Sequence, residues 1–432
     1  MVARSYWVET LGCPKNQVDS DKLEGTLAAD GLLRADDPEQ ADLIVINTCA
    51  FIEEARQESI DTILAFDAQR REGAKLVVTG GLAERYRDEL VEALPEVDLV
   101  APFGTALTSV LAPSSVAVRI GTKPGNGPGR SAPDFDLLNL PRPAARAPWA
   151  YVKVAEGCDR NCGFCAIPSF RGKQRSRALD DVVAEVEALG AKEIVLVAQD
   201  LAAYGRDQGQ GERALVPLVQ RLDGLVDWVR LLYLYPSDLT DTLIDTICAT
   251  EVAYFDLSLQ HVSAPLLRRM RRWGDGERFL ARIADIRRRR PDAAFRTNFI
   301  VGYPGETEAD HDQLVRFLEE ARLDWCGFFA YSPEEGTYAT TLDGDVPASL
   351  HDEWLHELRE LQDGITAEAR DALIGTTVRV LVDEPGVARS FREAPEIDGT
   401  IEVPEDLAVG SFAEVAVVDA LGPDLVAERV RP

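Results

Sequence analysis

The run YVKVAEGCDRNCGFC at residues 151–165 decides the fold. It opens as a strand, Tyr151–Val154, and passes directly into three cysteines, Cys158, Cys162 and Cys165, within eight residues. Helical packing does not explain such crowding of thiols. Thiolates are the usual ligands of iron–sulfur clusters, and three of them on a four-iron cube leave one iron open for a substrate. A closed zinc site wants four ligands, and no fourth Cys or His lies nearby in sequence. Chance burial of small thiols is the remaining alternative.

Outward from this run the chain alternates. Further strands are predicted at Glu193–Ala198, Val229–Tyr235, Tyr254–Leu259, Phe295–Val301 and Gly327–Tyr331, with helical segments between them. Six such units predict an open or partial parallel (β/α)6 barrel with its reactive groups at the carboxyl ends of the strands. Gln199 and Asp200 end the second strand and Gln260 the fourth; their side chains either reach the barrel mouth or serve loop hydrogen bonds. His261 reads as a hydrogen-bonded structural residue. Gly302-Tyr303-Pro304-Gly305-Glu306 follows the fifth strand and is by itself a weak signal, since Gly-Pro-Gly is a common turn. Thr307 to Asp310 forms a capping box that opens a helix running through Leu318. Arg268, Arg269, Arg271 and Arg272, with Arg287 to Arg290, form basic helix faces that either meet RNA or, as is usual, are solvated surface.

Three β-then-α units precede the barrel, with strands at Tyr6–Leu11, Leu43–Asn47 and Leu76–Thr79 and helices from Val18, at Ile52–Phe66 and at Ala83–Ala93. They predict a small parallel α/β domain over residues 1–120. A Pro/Gly-rich stretch at 121–143 reads as a linker, and the barrel is expected over 144–370, ending in a charged helix at Leu350–Leu373. Residues 371–432 carry short strands at Thr377–Val382, Ile397–Val403 and Ala413–Ala420, which predict a small antiparallel β-barrel. The fold class is thus α/β with a terminal barrel.

The chain has 432 residues, 46% hydrophobic and 28% charged, and no apolar stretch of about 18 residues, which excludes an integral helical membrane protein. Its N-terminus lacks the pattern of a signal peptide, so a cytoplasmic location is expected. Seven cysteines in such a compartment point to metal ligation, catalysis or burial, not to disulfides. Net charge is 46 − 74 = −28, which disfavours nucleic acid and favours basic partners. The last domain sharpens this, with 13 acidic residues against 5 arginines and no lysine between Asp371 and Pro432, a net of −8. Direct tRNA binding is therefore not expected.

These motifs resemble those of the radical S-adenosylmethionine methylthiotransferases, from end to end of the chain. The resemblance rests on TLGCPKNQVDS around Cys13, INTCAFIEEA around Cys49, GCDRNCGFCAIPSFRGKQRSR, LVAQDLAAYG, DLSLQH, FIVGYPGETE and FAYSPEEGT. It is closest to the RimO type, because Arg389 to Gly399 resembles that type's signature in the terminal barrel, called TRAM. The resemblance implies a 4Fe-4S cluster on Cys158, Cys162 and Cys165 that binds S-adenosylmethionine, with Gln199, Gln260, Gly302, Gly305 and Glu306 toward that cofactor. It implies methylthiolation of the β-carbon of an aspartate of ribosomal protein S-twelve, free or in the small subunit. The motifs name no electron donor or sulfur donor.

Two rivals are a tRNA methylthiotransferase of the similar MiaB type and a non-catalytic ribosome-binding or iron-sensing relative. The family further implies a second 4Fe-4S cluster on three N-terminal cysteines, for which Cys13 and Cys49 stand ready at strand ends. Gly81 stands where the third is expected. Cys248 and Cys326 read as core residues.

Overall fold

The computed structural model describes residues 4–111, 137–209 and 214–430, so the predicted linker lies outside the described residues as far as 136. The chain divides into two compact units, Met1–Pro143 with Ser169–Arg171, and Ala144–Pro168 with Gly172–Pro432. Among the described residues no helix is long and apolar enough to cross a membrane.

The first unit is a parallel sheet of five strands, β1 (Ser5–Thr10), β2 (Leu33–Arg34), β3 (Leu43–Thr48), β4 (Lys75–Gly80) and β5 (Leu99–Val100), in the order β2-β1-β3-β4-β5. Strand β3 is central and wholly buried, which is why Leu43 to Ile46 is an unbroken apolar run. The two edge strands have two residues each, too few for a periodic signal, and the sequence shows only three. Helices α1 (Pro14–Ala29), α2 (Glu53–Gln69) and α3 (Gly81–Ala93) follow β1, β3 and β4. Helix α1 starts earlier than Val18 because Pro14 fits a first helical position, where its missing N–H costs nothing. The tail of the predicted linker is packed chain, not loose: Leu137 and Leu138 are buried, and Lys22 Nζ of α1 donates to the carbonyls of Leu138 and Leu140 at 2.8 and 2.9 Å.

The second unit contains all six predicted barrel strands, each parallel to its neighbour. They are β6 (Trp149–Lys153), β9 (Glu193–Val197), β10 (Trp228–Leu231), β11 (Tyr254–Gln260), β12 (Ala294–Val301) and β13 (Trp325–Ala330). They form two three-stranded sheets, β10-β9-β6 and β11-β12-β13, joined by a parallel bridge from Leu234 to Leu257 into an open half-barrel. Strand β10 stops at Leu231, short of the predicted Tyr235, because Tyr233 turns into the left-handed region at φ 65°. Two short strands, β7 (Ala155–Glu156) and β8 (Arg175–Ser176), pair antiparallel after β6. The capping box on Thr307 and Asp310 is formed at the start of a helix over Glu308–Ala321.

The last five strands, β14 (Thr377–Glu384), β15 (Val387–Arg389), β16 (Ile401–Glu402), β17 (Phe412–Leu421) and β18 (Asp424–Arg429), close into a barrel. It is antiparallel except for the β16–β18 pair. The predicted strand at Ile397–Val403 shrinks to β16, since Ala394 to Asp398 is spent on a turn with Glu396 at φ 61°. That turn belongs to the Arg389 to Gly399 run, which tucks under the amino ends of the half-barrel strands. Glu193, first residue of β9, accepts from Arg230 at 2.7 Å and from Arg389 at 2.8 Å. Together these two guanidiniums outweigh the cost of burying its carboxylate. Tyr254 Oη donates to Asp398 at 2.6 Å and Trp325 Nε1 to the Arg392 carbonyl at 2.8 Å. The terminal barrel is thereby fixed at one end of the strands, and their carboxyl ends stay clear of it.

Candidate iron–sulfur site

The three-cysteine loop leaves β7 and returns through β8, so the ribbon of those two strands forms its base. Gly157 enters it at φ 80°, where a Cβ would lie 2.2 Å from the Lys173 carbonyl oxygen; only glycine lets the two limbs come this close. The Cys158 N–H then donates to the Gly172 carbonyl at 3.1 Å. At the far side Gly163 N–H donates to the Met270 carbonyl at 2.8 Å, and the Gly163 carbonyl accepts from Ala339 N–H at 2.8 Å. The loop is thus tied at both ends to the segments that follow β11 and β13.

All three thiols are half-buried. Burial pushes the Cys158 thiol up to about 11 against the Arg160 N–H, with Asp200 and Cys162 adding to the rise. Cys165 is pushed up to about 12, again mainly by burial and then by the neighbouring thiols, with the Ile167 N–H and Arg272 opposing. Burial and the neighbouring thiols thus keep Cys158 and Cys165 protonated until a cation takes up their charge. Among the described residues no three His, Cys, Asp or Glu side chains surround a single ion; in a four-iron cube each thiolate would bind its own iron.

Around this loop stand polar groups from the strand ends. Gln199 Nε2 donates to Glu156 at 2.7 Å, while its Oε1 is buried without a partner. Asp200 accepts from Arg160 Nε at 2.6 Å through one oxygen and leaves Oδ1 buried and unpaired. Gln260 ends β11 at φ 72°. Unsatisfied buried acceptors and a left-handed non-glycine residue at strand ends are suited to a polar ligand.

The Gly302 to Glu306 turn is arranged differently. The Glu306 carboxylate accepts from Gly302 N–H at 2.6 Å and Tyr303 N–H at 3.1 Å and lies 3.2 Å from His261 Nε2. Ser263 N–H donates to His261 Nδ1 at 3.0 Å, so the ring's proton is on Nε2 and points at Glu306. Gly305 N–H donates to the Gly344 carbonyl at 2.7 Å. Glu306 and His261 are buried and hold the shape of this turn.

Three family models match the chain: "Uncharacterized protein family UPF0004" over residues 5–102, "Radical SAM superfamily" over 152–318 and "TRAM domain" over 374–430. The ribosomal protein uS12 methylthiotransferase RimO of Cutibacterium acnes is 42% identical, over 97% of this chain and 96% of that one. RimO of Moorella thermoacetica is 45% identical over 92% and 93%, and RimO of Aquifex aeolicus 40% over 97% and 95%. The chain belongs to the RimO family.

Within RimO terms the first unit is the departure. Cys13 caps the N-terminus of α1, and Cys49 directly follows β3. A Cβ on Gly12 would lie 3.0 Å from Cys49 Sγ, so the two cysteine-bearing turns abut. Burial alone would push the Cys13 thiol up, but the Lys15 charge and the Lys15 and Asn16 N–H groups bring it below its ordinary value. Cys49 is raised by burial and then by Cys13. Gly81, the first residue of α3, offers no donor, and a Cβ there would meet the Ala50 nitrogen at 2.9 Å and the Cys49 carbonyl carbon at 3.5 Å. A three-thiolate cluster therefore fits the loop at Cys158 and does not fit here.

The sequence pattern singles out neither Arg160 nor Tyr235, and it makes Arg272 part of a basic helix face. Arg160 and Arg272 both lie over the Tyr235 ring, at 3.8 and 4.1 Å, and Arg272 also reaches the Cys162 thiol. Consecutive arginines look like solvated surface until the Met270 carbonyl is seen to bind the cysteine loop.

Proposed function

We propose that this chain is a radical S-adenosylmethionine methylthiotransferase acting on ribosomal protein uS12, the substrate in the name of its RimO relatives, at the β-carbon of an aspartate. The supporting observation is the loop of Cys158, Cys162 and Cys165, tied down at both ends and flanked by the buried, unpartnered oxygens Gln199 Oε1 and Asp200 Oδ1. These thiolates would hold a 4Fe-4S cluster, with Gln199, Asp200 and Gln260 at the adjoining strand ends toward S-adenosylmethionine. When bound, the pair supplies one-electron chemistry that makes a carbon radical able to take hydrogen from an unactivated C–H bond. The protein's share is to bind, orient and exclude water: the Glu306–His261 pair stiffens one wall, and Gly163 fixes the loop against Met270 and Ala339.

The acidic terminal barrel supports a protein substrate over tRNA. Asp383, Glu393 and Asp398 are consumed by Arg389, Arg370 and Arg296, while Glu384, Glu402, Glu405, Asp406, Glu414, Asp419 and Glu428 are exposed. That surface repels phosphate and attracts a basic ribosomal protein in the cytoplasm. Cys13 and Cys49 remain two ligands of a second site one thiolate short, and no step is routed through it.

The test is to incubate the anaerobically reconstituted chain with S-adenosylmethionine, a low-potential reductant, added sulfide or methanethiolate as the sulfur source, and either uS12 or tRNA. A gain of one methylthio group on a uS12 aspartate is expected by mass spectrometry. Methylthiolation of tRNA alone refutes the substrate.

A further inference from the structure

Two arginines approach the cysteine loop, and their surroundings differ. The Arg160 guanidinium is neutralised by Asp200 and Asp238, the latter also held by Arg206 at 2.8 Å. Arg272 has no carboxylate within ion-pair distance among the described residues. Its Nη1 donates to Cys162 Sγ at 3.5 Å, its Nη2 to the Ser258 carbonyl, and its plane rests over Tyr235, while Nε is buried without a partner. The backbone beside it is anchored as well, since the Met270 carbonyl takes the Gly163 N–H of the loop and Trp273 N–H donates to Tyr235 Oη at 3.4 Å. An uncompensated cation on an anchored backbone is thus held by the Ser258 carbonyl and the Tyr235 ring with its charge against the Cys162 thiol.

We propose that Arg272 is a positioning residue that holds a positive charge on the Cys162 thiolate and so favours the reduced state of the cluster; the inference rests on the cluster reading above. On reduction one electron enters from a low-potential donor, the cluster with its thiolates becomes more negative by one unit, and no proton moves. A fixed cation beside one thiolate stabilises the more negative state more than the less negative one. The hydrogen bond to sulfur acts in the same direction. Arg160 contributes no such bias, because its charge and those of Arg206, Asp200 and Asp238 sum to zero.

The experiment is a redox titration of the full-length reconstituted chain, followed by electron paramagnetic resonance without S-adenosylmethionine, on the native protein, Arg272→Gln and Arg272→Lys. Iron is counted first; a native chain without a cluster overturns the underlying reading as well. At the native midpoint, Arg272→Gln is expected to show a ratio of reduced to oxidised cluster about tenfold lower, a shift of about 59 mV for one electron, with iron unchanged. Arg272→Lys keeps the charge and is expected to stay within about twofold of native. A Gln variant fully loaded with iron and at the native midpoint overturns the proposal, as does a Lys variant shifted as far as Gln. If Gln cannot hold the cluster, Lys decides: iron and midpoint retained support a charge requirement, and loss in both reduces Arg272 to loop packing. A cofactor-binding role alone would leave the midpoint unmoved without S-adenosylmethionine and is likewise excluded or upheld by it.

Discussion

Two sets of cysteines stand at the carboxyl ends of parallel strands in this chain, and they are built on opposite plans. Cys158, Cys162 and Cys165 come from one loop of eight residues, so the chain supplies the whole set at once. Cys13, Cys49 and position 81 come from the turns after β1, β3 and β4, one position each. A set scattered over three turns depends on each turn for one ligand, and the turn after β4 offers Gly81, which has no side-chain donor. The electrostatics diverge too: Cys13 is held below its ordinary value, while Cys158 and Cys165 are held well above theirs.

The sharpest way to break this contrast is to remove one thiol from each set. Cys162→Ala is expected to abolish the cluster and cleavage of S-adenosylmethionine, a loss of at least about a hundredfold, since two thiolates leave the cube with two open corners. Cys13→Ala is expected to leave both within about twofold, because that thiol is no ligand of the cube. Iron analysis and deoxyadenosine formation measure both. Equal loss in the two variants would show that the sets are not independent.

Each first cysteine follows a glycine of positive φ, and the next comparison uses that. Gly157→Ala drives a Cβ to 2.2 Å from a backbone carbonyl oxygen at φ 80°, whereas Gly12→Ala meets the Cys49 Cβ at the longer distance of 2.7 Å and φ 94°. The first is expected to cost about 3–5 kcal/mol and the second about 1–3 kcal/mol by denaturant unfolding. The reverse order would mean that the Lys173 limb of the loop is softer than its packing indicates.

Much of this was legible beforehand, for reasons particular residues make plain. The three-cysteine run needs no tertiary information, and six apolar strands separated by helices announce a half-barrel. The two-residue strands at Leu33 and Leu99 carry no period, and β15 and β18 lie in turn-rich sequence, so they were invisible. Arg272 was invisible as a contact because its partner Cys162 lies 110 residues away in sequence. Glu306 was placed toward the cofactor by its motif, and only the coordinates show its carboxylate turned onto Gly302, Tyr303 and His261.

Thiol reactivity in the metal-free chain sharpens the contrast further. A lowered pKa leaves Cys13 with more thiolate near pH 8, and a raised one leaves Cys158, at about 11, with very little. Because Cys13 lies below its ordinary value, the gap in thiolate fraction is at least about a hundredfold, and the weaker nucleophilicity of the more acidic thiol recovers about half of that on a logarithmic scale. Cys13 is therefore expected to be alkylated at least about tenfold faster than Cys158 at pH 8, with the ratio shrinking as pH rises toward 11, read by mass spectrometry of peptides. Equal rates would show that Lys15 and the α1 N–H groups do not hold the Cys13 thiolate.

The smallest expected effect concerns the missing member itself. Restoring a donor by Gly81→Cys is expected to raise retained iron from about four to about eight per chain, because Cys13 and Cys49 already stand in abutting turns. The backbone at Gly81 has ordinary φ, so the only obstacle is the 2.9 Å approach of the new Cβ to the Ala50 nitrogen. Relieving it needs a shift of a few tenths of an ångström in the Cys49–Ala50 turn, at a cost of about 1 kcal/mol. Gly81→Ser carries the same Cβ and a hydroxyl in place of the thiol, so it bears that cost without the iron. If the native chain already retains eight irons, two thiolates suffice and the contrast between the sets disappears. If Gly81→Cys gains nothing over Gly81→Ser, the first unit has lost more than one ligand, and the sheet end after β4 is no longer shaped to hold a cluster.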